Sequence, residues 1–150
     1  MSTQGESQGL FDLALSLHCR GEYLSARRIY AKVLCDAVSH PAILGLIGAS
    51  FAQAANNHKA LDWLERARVM DPFHGSTLVN LGNAQANLDR HDEAIRSYRD
   101  ACILQPSLDE GYNCLGLAYS KQARSPDALK YLGFARNINP ENPRYLSACG

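Results

Sequence analysis

The sequence predicts an all-α fold made of repeated helix hairpins, and three observations carry that prediction. A spacing of 34 residues stacks the chain into frames 7–40, 41–74, 75–108 and 109–142 with no insertion or deletion between them. Within a frame, apolar residues recur at helical spacing, as at Ala94, Tyr98 and Ala101. The thirty-second place of the frame holds Val38, Pro72, Pro106 and Pro140, and each proline disfavours helical dihedrals in the residue before it.

Each frame therefore reads as two helices, and its fixed columns assign the packing. The eighth place holds Ala14, Gly48, Gly82 and Gly116, and the twentieth holds Ala26, Ala60, Ala94 and Ala128. Small side chains at these places let the two helices of one hairpin approach closely. The seventh place (Leu13, Ile47, Leu81, Leu115) and the twenty-fourth (Tyr30, Leu64, Tyr98, Leu132) supply the bulk beside them. The twenty-seventh place is again small, with Val33, Ala67, Ala101 and Ala135. Between the helices stand Gly21, Ala55, Asp89 and Ala123; only the glycine suits a left-handed turn without strain. Ser125, Pro126 and Asp127 open the last second helix, with Ser125 as the expected cap.

Outside the frames, residues 1–6 read as a flexible N-terminus. Residues 143–150 read as a short capping helix or a truncated fifth repeat, since Leu146, Cys149 and Gly150 fall at places four, seven and eight of a next frame. The apolar Tyr131, Phe134, Leu146 and Cys149 mark this end as a surface for homo-oligomer contacts, as does any apolar groove.

Composition narrows the function classes. Lys plus Arg and Asp plus Glu are 15 each, so the formal charge is zero, which argues against a nucleic-acid footprint or a polybasic membrane surface. The five cysteines form no CxxC pair, which favours reduced thiols and a cytoplasmic location over a disulfide framework or a zinc site. The first residues lack the basic and apolar regions of a secretory signal, and the apolar run from Ala42 to Ala55 is too short to cross a bilayer. Five separated histidines, no Gly-rich phosphate loop and no activated cysteine give no expectation of catalysis, of a metal or of a cofactor.

The repeat resembles the tetratricopeptide repeat family. The third frame carries the likeness most fully, with Asn80-Leu81-Gly82-Asn83-Ala84, His91-Asp92-Glu93-Ala94-Ile95, Tyr98, Ala101 and Pro106. The resemblance covers residues 7–142; it departs at Leu10, Leu44, Leu78 and Tyr112, where the family favours Trp, and at Ala14 and Val38 in the first frame. It departs also at Gln85, where the family usually has a large aromatic, which implies a looser third hairpin. It implies a right-handed α-solenoid of four helix-turn-helix repeats plus the start of a fifth helix pair. It also implies a concave groove lined by the first helices, and binding of a protein or peptide partner there without catalysis.

On the family's groove places, the candidate partner-binding residues are Phe11, Leu15, Ala42, Gly45, Leu46 and Ala49 in the first two frames. In the last two they are Asn80, Asn83, Asn87, Asn113 and Leu117. The first set is apolar, with small residues for close approach; the second is rich in amides that can hydrogen-bond an extended main chain. Some family members clamp a chaperone's terminal carboxylate with Lys and Asn. Of the matching residues here only Asn80 fits, so that activity is not expected. The asparagine ladder of the O-linked N-acetylglucosamine transferases falls on Asp12, Leu46, Asn80 and Cys114, and is not reproduced. The alternatives to a free-standing interaction module are a targeting or scaffold domain of a larger enzyme such as a glycosyltransferase, and a chaperone-like shield for an apolar client segment. A rival surface is the convex side around Trp63, Tyr131 and Phe134.

Overall fold

The computed structural model describes residues 4–36 and 41–146. Among them every regular element is helical. The chain divides into two compact units, Met1–Pro72 and Phe73–Gly150.

The first unit holds α1 (Gln4–Cys19), α2 (Tyr23–Asp36), α3 (Pro41–Gln53) and α4 (Asn57–Met70). Thus α1 takes in positions 4–6, where the sequence predicts a flexible N-terminus. Helix α1 pairs with α2, α3 pairs with α4, and α2 packs on α3. The core between them is Ala14, Ala26, Tyr30, Val33, Ile43 and Ile47. Helix α3 is apolar around most of its circumference and buries Ile43, Leu44, Gly45, Ile47, Gly48, Ala49 and Ser50. Val38 and His40 lie outside the described residues.

The second unit holds α5 (Gly75–Asn87), α6 (His91–Leu104), α7 (Asp109–Lys121), α8 (Ser125–Ile138) and the single turn α9 (Pro143–Leu146). Here α5 pairs with α6, α7 pairs with α8, α6 packs on α7, and α9 meets α8. Val79, Leu81, Ala84, Ala94, Tyr98, Ala101 and Leu115 are all buried.

The eighth and twenty-fourth columns meet directly. A Cβ added at Gly82 would stand 2.5 Å from Tyr98 Cε1, one at Gly48 2.5 Å from Leu64 Cγ, and one at Gly116 2.7 Å from Leu132 Cγ. Glycine is there because the large residue of the second helix occupies the space a methyl would need. The seventh column behaves differently from the expectation that it fills its own hairpin. Ile47 joins the core formed by α1 and α2, so it faces the preceding hairpin. Leu13, in the first frame, is accordingly 49% exposed.

All four inter-helix turns adopt the same left-handed residue, with φ of 82° at Gly21, 60° at Ala55, 59° at Asp89 and 58° at Ala123. At each, the next residue's N–H reaches five residues back, as Asn56 N–H to Phe51 O at 2.9 Å, closing the helix end with paired reverse hydrogen bonds. The backbone conformation thus holds whether or not glycine is present. The prolines do end the second helices: Asp71, Gln105 and Asn139 leave the helix with φ near −135° before each of them.

Two local expectations are corrected. Ser125 is not the cap of α8; it already lies in the first turn, and Arg124 precedes it with its guanidinium 2.7 Å from Asp127. Gln85 does not loosen its hairpin. It is 6% exposed, and its Oε1 accepts a hydrogen bond from the buried Ser97 hydroxyl at 2.7 Å, so a polar bridge does the work of bulk.

Candidate functional site

Each unit places its candidate residues on the first helices of its hairpins. In the first unit, Phe11 and Leu15 on α1 and Ala42 and Leu46 on α3 are partly exposed. Gly45 and Ala49 are buried, so the small-residue stripe is consumed by packing within the chain and leaves no open floor. Leu46 also packs against the hairpin core, so it is a structural as well as a surface residue. Phe11 sits with its ring 6.2 Å from that of Tyr30. Tyr30 itself is fully buried, and burial, helped by nearby Cys19, pushes its phenol up to about 12.

In the second unit, Asn80 and Asn83 on α5 and Asn113 on α7 are partly exposed, while Asn87 and Leu117 are exposed. Asn83 is the best-defined of them. Its Oδ1 accepts from the Tyr98 hydroxyl at 2.8 Å and from the Cys114 thiol at 3.6 Å. With its oxygen engaged on both sides, the amide orientation is fixed, and the NH₂ group remains as the donor. Burial, with Glu110 adding to it, pushes the Cys114 thiol up to about 12, so it is held as a neutral donor rather than a nucleophile. Tyr98 is raised further by the same cause.

The structure adds a cluster that the groove places did not contain. Asp109 Oδ2, at the start of α7, accepts from Tyr145 Oη at 2.9 Å, Asn139 Nδ2 at 3.2 Å and Asn142 Nδ2 at 3.3 Å. Burial opposes its charge, but these donors outweigh that and hold its carboxyl below the usual range. As a first-turn acid Asp109 also suits the helix dipole, but these partners lie 30 or more positions away, beyond any local pattern.

The rival convex residues are also placed. Trp63 packs partly against the first unit's core, with Arg66 5.1 Å above its ring. Tyr131 stacks on Tyr119 at 5.5 Å and meets Phe134, which is 42% exposed. Cys149 lies outside the described residues.

The family model for the TPR repeat matches residues 82–122. The cell division cycle protein 27 homolog of Caenorhabditis elegans is 30% identical over 99 residues, covering 66% of this chain. These are tetratricopeptide repeats. The chain spans 13% of that relative's length, so the likeness concerns the repeats and not the whole protein.

Solved structures agree on the fold. MamA superposes with a TM-score of 0.76 at 21% identity, covering 93% of this chain and 81% of its own. YrrB, described as a TPR protein with an unusual peptide-binding site, does so with a TM-score of 0.75 at 19% identity, covering 95% and 74%. At such identities the likeness shows an all-α tetratricopeptide solenoid and nothing of the ligand. No helix among the described residues is long and apolar enough to cross a membrane.

Proposed function

We propose that the chain is a non-enzymatic protein-interaction module that binds a peptide or helix of a partner on the first-helix faces of its repeats. The observation that carries this reading is Asn83. A side chain whose oxygen is satisfied internally by Tyr98 and Cys114 holds its amide donor in a set orientation, as recognition of an extended main chain requires. Asn80 and Asn113 stand beside it as partly exposed amides, and Phe11 and Leu15 supply apolar anchors in the first unit. YrrB's peptide-binding site lends the reading a precedent on the same fold.

A peptide selected from a display library against the whole chain provides the test. Leu15→Asp should weaken its binding by about 2 kcal/mol or more with the melting curve unchanged, because it buries an unpaired charge in the contact. Asn83→Ala should weaken it by about 0.5–1.5 kcal/mol. If neither change matters and Trp63→Ala alone weakens binding, the first-helix faces are not the site.

A further inference from the structure

The first unit gathers two cations on one aromatic ring without a counter-charge. The Arg27 guanidinium carbon lies 4.1 Å from the centre of the Phe51 ring, and Lys59 Nζ lies 5.7 Å from it. On α2, Tyr23, Arg27 and Tyr30 follow one another along a single face. The His18 ring of α1 stands against both tyrosines, at 5.4 and 6.3 Å, so His18 and Arg27 share one corner. Among the described residues, His18 Nδ1, Arg27 Nη1 and Tyr30 Oη are buried with no hydrogen-bond partner, and all three belong to this corner. Burial also lowers the His18 pKa, against a hydrogen bond that the ring donates to Gln53, so the imidazole adds no charge of its own at neutral pH.

At the starts of α6 and α8, by contrast, an arginine has an acid three residues away. Arg90 pairs with Glu93 at 2.5 Å, and Arg124 pairs with Asp127 at 2.7 Å while lying 4.6 Å from the Tyr119 ring. Three residues after Arg27 stands Tyr30, which is no acid. Among the described residues neither Arg27 nor Lys59 has an ion pair. A half-buried guanidinium without a counter-charge is costly and gains most from a carboxylate at its open side.

We propose that the Arg27–Phe51–Lys59 corner of the first unit binds an aspartate or glutamate side chain of a protein partner. Arg27 grips the carboxylate, Phe51 holds the guanidinium plane, and Lys59 supplies the second charge. The proposal rests on the interaction-module reading and names one chemical feature of the partner: an acidic residue beside an apolar stretch. The charge requirement, not the fold, sets its specificity.

The test uses the whole chain and three labelled peptides: alternating leucine and glutamate, the same peptide with glutamine for glutamate, and one with phosphoserine for glutamate. The glutamate peptide should bind saturably, and about tenfold more tightly than the glutamine one. Arg27→Gln and Lys59→Gln should each erase most of that difference. Lys59 is exposed, so its variant keeps the fold even if Arg27→Gln does not. Lys130→Gln, a cation 5.5 Å from the Tyr131 ring in the second unit, should leave it intact. Failure of the glutamate peptide to bind, equal binding of the glutamate and glutamine peptides, or preference for phosphoserine overturns the proposal. Loss of binding in Leu15→Asp but not in Arg27→Gln or Lys59→Gln overturns it while leaving the interaction module standing.

Discussion

Tyr30 and Tyr98 hold the same place in the first and third repeats, yet their hydroxyls live in opposite circumstances. Tyr98 donates to Asn83 at 2.8 Å, while Tyr30 is fully buried with an unpartnered oxygen. The acceptor of Tyr98 comes from the ninth place of its frame; in the first frame that place is Leu15. The place beneath the ring also differs, Gly82 in one hairpin and Ala14 in the other. The repeating columns thus fix where the ring goes, and the non-repeating columns decide whether its polar tip is satisfied. The same non-repeating columns carry the candidate ligand contacts, so packing and recognition are written in separate positions of one frame.

The largest expected effect comes from closing the gap beneath Tyr98. Gly82→Ala should cost about 1–3 kcal/mol in denaturant unfolding, since the ring stands where the methyl must go. A cost near zero would mean that the third hairpin relaxes to the geometry the first adopts over Ala14. Next, Tyr98→Phe should cost about 1 kcal/mol, whereas Tyr30→Phe should be neutral or slightly stabilising, because it deletes a buried hydroxyl that bonds nothing. Equal losses at the two sites would erase the contrast. Ala55→Gly and Ala123→Gly should each raise stability by up to about 1 kcal/mol by relieving left-handed strain, and Gly21→Ala should lower it by a similar amount.

The smallest effect concerns acid. The Asp109 carboxyl is held below its ordinary range when folded, so its contribution is present above the unfolded pKa and is lost as pH falls through the folded value. Below about pH 4 the melting temperature of the native chain should therefore drop more steeply than that of Asp109→Asn. Parallel curves would show that the Tyr145, Asn142 and Asn139 bonds do not favour the ionised form.

The fold was legible because it is periodic. Gly48, Gly82 and Gly116 recur at one place for one steric reason, and the prolines punctuate at another. What stayed hidden was pairing across the frame. Nothing local in the sequence tells that Gln85 meets Ser97, or that Asp109 collects Asn139, Asn142 and Tyr145; those contacts depend on which helix faces meet. The candidate site was legible as a list of faces and not as exposures. Gly45 and Ala49 share a face with Leu46, yet neighbouring helices cover them, and burial is a property of the packed unit. The Arg27, Phe51 and Lys59 corner was missed because its residues come from three helices at places that do not repeat. An Arg at the twenty-first place, where the other frames carry Leu61, Ile95 and Leu129, was the signal available.

The hydrogen bonds of Asn83 tie α6 to α5 through Tyr98, and α5 to α7 through Cys114. Opening the α7–α8 hairpin removes one of the two donors on the Asn83 oxygen, and opening the α5–α6 hairpin leaves the Cys114 thiol without its acceptor, which couples their unfolding. Amide protons of α5, α6 and α7 should then exchange with solvent as a single cooperative block. Asn83→Leu should split that block into two, with the α7–α8 hairpin exchanging sooner than the α5–α6 hairpin.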